Sequence, residues 1–169
     1  MSVPFSGKKD LSPCRGFSVL DLLIAAVVIL IVVSFSVTSV VRGQKPVLRT
    51  NAARQFANYL QQARDDSMRR RATAPSQMAQ VTIINERYYS VSIDANGDGI
   101  LDTPIVISLA EKHVTVSGPF PRTAMFDSLG RVVDVNANVM STAPTTFANS
   151  SGTSLVKLSD AGQPSVVQP

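Results

Sequence analysis

The chain has 169 residues, of which 16 are lysine or arginine and 12 are aspartate or glutamate, and this length fits one small domain with a membrane helix. Three of the basic residues and one acid lie in residues 1–16, so residues 17–169 carry 13 basic and 11 acidic side chains, a net charge of +2. That small charge gives weak support for nucleic-acid binding. The one cysteine, Cys14, also lies in residues 1–16, so the rest of the chain can form neither a disulfide nor a thiolate metal site.

Residues 17–41 form a long apolar run in which Asp21 is the only ionisable side chain. As one helix the run would extend about 37 Å, which exceeds the roughly 30 Å of a bilayer core. The basic residues before it, Lys8, Lys9 and Arg15, predict a cytoplasmic N-terminus and a periplasmic or external C-terminal part. The run therefore predicts a single-pass transmembrane helix. A plain signal anchor with Asp21 at headgroup level is the alternative.

The junction before this run carries a recognisable pattern. A basic leader, residues 1–16, ends in Gly16 and is followed by Phe17, three residues, Asp21 and the apolar run. This pattern resembles the processing site of type IV prepilins and pseudopilins. The resemblance implies that a prepilin peptidase cuts between Gly16 and Phe17 and methylates the amine of Phe17. It also implies that Asp21, where the family usually has Glu, pairs with the N-terminal amine of a neighbouring subunit during assembly.

Residues 42–71 are predicted to continue the helix as an amphipathic half, with a kink or loosened turn at Gly43 and Pro46. One face carries small or apolar side chains at helical spacing, namely Leu48, Ala52, Phe56, Leu60, Ala63 and Ser67. The opposite face carries Arg49, Arg54, Asn58, Gln62 and Asp65. The first face is therefore expected to pack against a domain and the second to face solvent.

Two further features lie on this helix. The residues Ala53, Phe56, Leu60, Ala63, Arg64 and Asp65 form a segment similar to that of minor pseudopilins of the GspH/FimT family. The run Arg69, Arg70 and Arg71 is interpreted first as cations that stabilise a helix C-terminus. A basic patch for DNA or lipid phosphates is the alternative.

Residues 72–169 are predicted to form a β-rich domain that packs on the helix, which gives an α+β, pilin-like fold with antiparallel sheets. A polar loop is expected over residues 136–153. The predicted strands are paired as hairpins in chain order: Gln80–Ile84 with Tyr88–Ile93, Pro104–Leu109 with His113–Val116, Thr123–Phe126 with Arg131–Val135, and Ser154–Leu158 with Ser165–Val167.

One loop has the spacing of a calcium site. Asp94, Asn96, Asp98 and Asp102 provide oxygen ligands at positions that match the first half of an EF-hand loop. Ile105 stands where the bidentate Glu is required, so the loop is incomplete. The Asn-Gly and Asp-Gly pairs within it are also typical of a plain hairpin turn. Both interpretations stay open, and no other cofactor is expected.

An enzyme is not expected, because the single histidine, His113, has no second imidazole or thiol near it in the sequence. Two functions follow from the resemblance. The first is a minor subunit of a type II secretion pseudopilus or a type IV pilus, inserted in the bacterial inner membrane and later placed near the filament tip. Its partners would be the prepilin peptidase and other pilin or pseudopilin subunits. The second, less favoured, is a FimT-like DNA receptor for natural transformation.

Overall fold

The computed structural model describes the backbone of residues 18–168 and the side chains of residues 18–34 and 43–168. One long helix, α1, spans Val19–Arg70, and the helix assignment is unbroken at Gly43 and Pro46. The chain divides into two compact units, with the boundary between Val41 and Arg42. In the first unit, every described side chain from residue 18 to residue 34 is exposed.

Among the described residues, no helical stretch is both long enough and apolar enough to cross a membrane. The predicted span of residues 17–41 lies partly outside the description, which leaves out Phe17 and the side chains of residues 35–41. The predicted leader, residues 1–16, lies wholly outside it.

The helix ends where the sequence places its last cluster of cations. Arg71 adopts the left-handed conformation, with φ of 52°. The amide of Ala72 donates to the carbonyl of Ser67 at 3.0 Å, and the amide of Arg71 donates to that of Met68 at 3.2 Å. This pair of bonds is a Schellman motif, which closes a helix and satisfies its last carbonyls.

Two antiparallel sheets follow the helix, so the α+β class with antiparallel sheets is confirmed. A five-stranded sheet has the order β3-β2-β1-β5-β6, and a four-stranded sheet has the order β4-β7-β8-β9. The strands of the first are β1 Gln80–Asn85, β2 Tyr88–Ser92, β3 Ile105–Ser108, β5 Arg122–Phe126 and β6 Val132–Val133. Those of the second are β4 Thr115–Ser117, β7 Thr145–Asn149, β8 Gly152–Leu158 and β9 Pro164–Val167.

Three of the predicted hairpins are present, since β1 pairs with β2, β5 with β6 and β8 with β9. The predicted pairing of Pro104–Leu109 with His113–Val116 is wrong, because β3 pairs with β2 and β4 pairs with β7. A 3₁₀ turn at Ala110–Lys112 and a left-handed His113, with φ of 51°, separate β3 from β4. The chain therefore leaves the first sheet at this turn and enters the second.

The predicted loop over residues 136–153 is also partly wrong, because it contains β7. The segment is polar, so it was predicted as a loop, although β7 contains two threonines and a phenylalanine. Phe147 in this strand is fully buried, and its ring lies 5.3 Å from that of Phe56. Phe147 thus ties the second sheet to the helix.

The core of residues 42–168 lies where the helix stripe meets both sheets. On the helix face that was predicted to pack against the domain, five residues are buried, as an amphipathic helix requires: Ala52, Phe56, Leu60, Ala63 and Ser67. The four apolar members of this set, from Ala52 to Ala63, pack in one cluster with side chains from β1, β2, β4, β7 and β8. The expectation that Arg49 faces solvent is wrong, because Arg49 is only 9% exposed.

Candidate functional site

The predicted assembly residue Asp21 lies in the first turn of α1. Its carboxylate accepts a hydrogen bond from the amide of Ser18 at 3.3 Å, and the Ser18 hydroxyl accepts one from the amide of Leu20 at 3.3 Å. These bonds cap the helix start, because they satisfy amides that have no intrahelical partner. Gly16 and Phe17, the predicted cleavage residues, lie outside the described residues.

The predicted basic patch at residues 69–71 is largely neutralised within the chain. Asp66, which is 7% exposed, accepts bonds from the guanidinium groups of Arg70 at 2.7 Å and Arg69 at 3.1 Å. The side chain of Arg70 is 9% exposed, so its charge is buried with that of Asp66. Of the three arginines, only Arg71 makes no ion pair with the described side chains. The sequence did not signal Asp66 as the acid that holds this cluster.

The four predicted calcium ligands form a hydrogen-bonded turn that joins the same cluster. Asp94 has a fully buried carboxylate, which accepts bonds from the amides of Gly97 at 2.6 Å and Gly99 at 2.9 Å. The side-chain amide of Asn96 donates to the Asp98 carboxylate at 3.0 Å, and the backbone amide of Ala95 donates to the Asp102 carboxylate at 2.8 Å. The four side chains therefore lie close together, and their oxygens already accept hydrogen bonds from N–H groups of the protein.

The electrostatics of Asp94 reflect this arrangement. Burial acts to raise the pKa of the Asp94 carboxyl, but the amide donors and the nearby Arg70 outweigh it, so the pKa lies below its usual value. The guanidinium of Arg70 lies 3.8 Å from the Asp94 carboxylate, so a positive charge already stands beside this predicted ligand. Among the described residues no group of three or more acidic, His or Cys side chains is placed to hold a metal. The geometry is that of a turn, and calcium binding stays a prediction.

Arg64, one of the residues that carry the family resemblance, has a structural role. Its Nε donates to the carbonyl of Gly130 at 3.2 Å and to that of Ala161 at 3.1 Å. Gly130 lies in the turn between β5 and β6, and Ala161 lies in the turn between β8 and β9. The helix thus holds one turn of each sheet through a single side chain.

An apolar cleft of about 250 Å³ lies between the sheets and the helix. Phe56, Val81 and Val156 form part of its walls, and Arg122 lies at its polar side. Arg122 donates to the hydroxyl of Thr145 and makes no ion pair with a described side chain, while burial lowers the pKa of its guanidinium. The cleft can therefore hold an apolar group beside a cation. No sequence pattern singled out Arg122, which is the first residue of β5.

No family model, curated protein or solved structure matches the chain.

Proposed function

We propose that the protein is a minor subunit of a pilin-like filament, either a type II secretion pseudopilus or a type IV pilus. One observation carries the proposal. Residues 19–34 are helical, every side chain among them is exposed, and Asp21 is their only ionisable residue. An apolar helix surface of this extent is suited to lipid before assembly and to the helices of other subunits afterwards.

Residues 42–168 support the proposal in a second way. They form a domain in which one helix face is buried under two antiparallel sheets, so the chain combines an apolar helical segment with a folded domain of its own. In the proposed pathway the apolar segment lies in the bacterial inner membrane and the domain lies in the periplasm. A prepilin peptidase cuts between Gly16 and Phe17, methylates Phe17 and releases the subunit for addition near the filament tip.

Asp21 has two roles in this proposal. In the single chain its carboxylate caps the start of α1. In a filament it neutralises the N-terminal amine of a neighbouring subunit, because a charge placed among apolar helices is costly unless it is paired. Asp reaches less far than Glu by one methylene, and the substitution Asp21→Glu should therefore preserve or strengthen the pairing.

The test begins with the intact mass and N-terminal sequence of the protein purified from membranes of its host. We expect a chain that begins at Phe17 and carries one added methyl group. The variant Gly16→Val should keep Met1, because a bulky side chain at the cut site blocks the peptidase. A wild-type chain that still begins at Met1, in cells with an active prepilin peptidase, would contradict the proposal.

Assembly is then measured as the amount of the protein in sheared filaments. The variant Asp21→Asn keeps an acceptor for the helix cap but removes the charge, so it separates the two roles of Asp21. We expect Asp21→Asn to be cleaved normally and lost from filaments, and Asp21→Glu to be retained. Equal recovery of both variants would show that the charge has no part in assembly.

The second function considered, a DNA receptor, finds no support in the predicted patch, because Arg69 and Arg70 are already paired with Asp66. We therefore do not propose it.

A further inference from the structure

The first part of the domain carries positive charge without neutralising acids. From Leu22 to Ala63 the sequence contains no aspartate or glutamate. The basic residues of that stretch whose side chains the structure describes are Lys45, Arg49 and Arg54. The ion pairs of the described side chains involve Arg64, Arg69, Arg70 and Arg131. This basic end therefore lacks an internal counter-charge in the part of the chain that the structure describes.

Arg49 is the most unusual member of this group, because its residue is only 9% exposed. Its Nε donates to the hydroxyl of Ser154 at 3.0 Å, and its Nη1 donates to the hydroxyl of Ser151 at 3.2 Å. Neutral hydroxyls satisfy two donors but do not balance the charge. A guanidinium has five N–H groups, and buried arginines are normally paired with an anion. Among the described side chains Arg49 therefore meets no anion, and it has N–H groups beyond the two that these hydroxyls accept.

Arg49 and Arg54 line one pocket of about 240 Å³, together with Thr50, Asn51 and Gln168. The side-chain amide of Gln168 donates to the Thr50 hydroxyl at 3.2 Å, which fixes two of these groups relative to each other. All five side chains can donate hydrogen bonds, and the described lining contains no carboxylate. A cavity needs only about 10–15 Å³ of such space to admit one water, so the pocket is large enough for a phosphate-sized group.

We propose that this pocket binds a phosphate group through Arg49 and Arg54, with Thr50, Asn51 and Gln168 as further donors. Arginine is suited to this role because its planar donors match two phosphate oxygens at once. The occupant that fits best is the headgroup of an anionic phospholipid.

Two observations favour a lipid over free phosphate. Pro46 and Val47 line the same pocket, and Val47 is 56% exposed, so an apolar surface lies beside the donors. In the sequence, the apolar run ends at Val41, eight residues before Arg49. The lipid as source rests on the proposed membrane insertion, whereas the phosphate site itself does not.

The test uses the full chain in a neutral detergent and measures its melting temperature. The probes are dihexanoyl phosphatidylglycerol, dihexanoyl phosphatidylcholine and inorganic phosphate, each titrated separately. A ligand that binds only the folded chain raises the melting temperature with its concentration. We expect phosphatidylglycerol to raise it at lower concentrations than phosphatidylcholine or inorganic phosphate.

The decisive variant is Arg54→Gln, because Arg54 is exposed and makes no side-chain hydrogen bond within the described structure, so the fold should tolerate the change. Loss of one charged hydrogen bond should weaken the response by about tenfold or more. Arg87→Gln is the matched control, since Arg87 is an exposed arginine in the turn between β1 and β2. The basic leader is present in every variant, so any binding by it cancels in the comparison.

Each outcome has a defined meaning. Equal responses to phosphatidylglycerol and inorganic phosphate would keep the phosphate site and overturn the lipid as its source. The site itself is overturned if no probe raises the melting temperature, or if Arg54→Gln and Arg87→Gln reduce the response equally. Binding of duplex DNA that Arg54→Gln abolishes, without any lipid response, would also overturn the lipid assignment. The titration does not depend on cleavage at Gly16, so failure of this site and failure of the filament proposal can be told apart.

Discussion

At the scale of single residues, Tyr89 is the clearest case of a polar group without compensation. Its side chain is fully buried, and its ring lies edge-on to that of Phe56, with 5.1 Å between the ring centres. The hydroxyl has no hydrogen-bond partner among the described residues. Burial, with a smaller contribution from Tyr59, raises the pKa of Tyr89 far above its ordinary value. In the part of the chain that the structure describes, the burial of this hydroxyl is therefore not offset by a protein hydrogen bond.

We predict that Tyr89→Phe stabilises the protein. Removing an unsatisfied buried hydroxyl while keeping the ring should raise the free energy of unfolding by about 1 kcal/mol. Urea unfolding of the full chain measures the effect. Tyr88→Phe is the control, because Tyr88 is 40% exposed, and should change stability by no more than about 0.5 kcal/mol. A clear loss of stability in Tyr89→Phe would mean that the hydroxyl has a partner after all.

At the scale of elements, the turn between β5 and β6 contacts the turn between β8 and β9 through the backbone. A Cβ at Gly162 would lie 2.0 Å from the carbonyl oxygen of Gly130, and Gly162 has φ of 72°. Only glycine combines that conformation with so close an approach. Arg64 donates to both turns, so the helix, the first sheet and the second sheet are joined at this point.

The paired substitutions Gly162→Ala and Gly99→Ala separate these two causes. Gly99 has φ of 89° but nothing within 4 Å of the added Cβ, so its substitution reports the backbone strain alone, about 1–2 kcal/mol. Gly162→Ala adds overpacking and should cost about 1–3 kcal/mol more. Denaturant unfolding of both variants gives the difference. Equal losses would show that the two turns move apart at little cost.

The elements also show where sequence reasoning stops. The 3.6-residue spacing of Ala52, Phe56 and Leu60 predicted their burial, because periodicity reports which face of a helix meets the core. Strand β7 was missed because its polar neighbours resemble a loop, and only the packing of Phe147 against Phe56 reveals its role. The predicted pairing of β3 with β4 failed for a similar reason. A turn that joins two paired strands and a turn that leads from one sheet to the other have similar sequences.

At the scale of the whole molecule, three carboxyl groups among the described residues link the stability of the fold to pH. The pKa of Asp94, Asp127 and Asp134 lies below the ordinary value in each case. For Asp127, burial acts to raise the pKa, and the backbone and guanidinium donors of Arg131 outweigh it. A carboxyl whose pKa is lowered by folding stabilises the fold above its unfolded pKa, about 3.9. That stabilisation is lost as the pH falls through the folded pKa.

We therefore predict that the melting temperature of the full chain falls steeply as the pH drops from about 5 to 2. Asp127→Asn should melt at a lower temperature at pH 7, because the ion pair with Arg131 is lost, and should depend less on pH. The two curves should converge near the acidic end. Asp160→Asn is the control, since Asp160 is exposed and makes no hydrogen bond with the described residues, and should follow the wild type. Parallel curves for wild type and Asp127→Asn would refute the prediction.

The sequence by itself determined the α+β class, the buried helix stripe and three hairpins, because these depend on local periodicity and turn residues. It also indicated the apolar segment and the pattern around Gly16 on which the proposed function rests. Only the tertiary structure decided the pairing of β3 and β4, the neutralisation of Arg70 by Asp66 and the burial of Arg49. Those features depend on which distant segments come into contact when the chain folds, and a local sequence pattern does not indicate such contacts. The candidate phosphate site belongs to this second group, since Gln168 reaches Thr50 only in the folded chain.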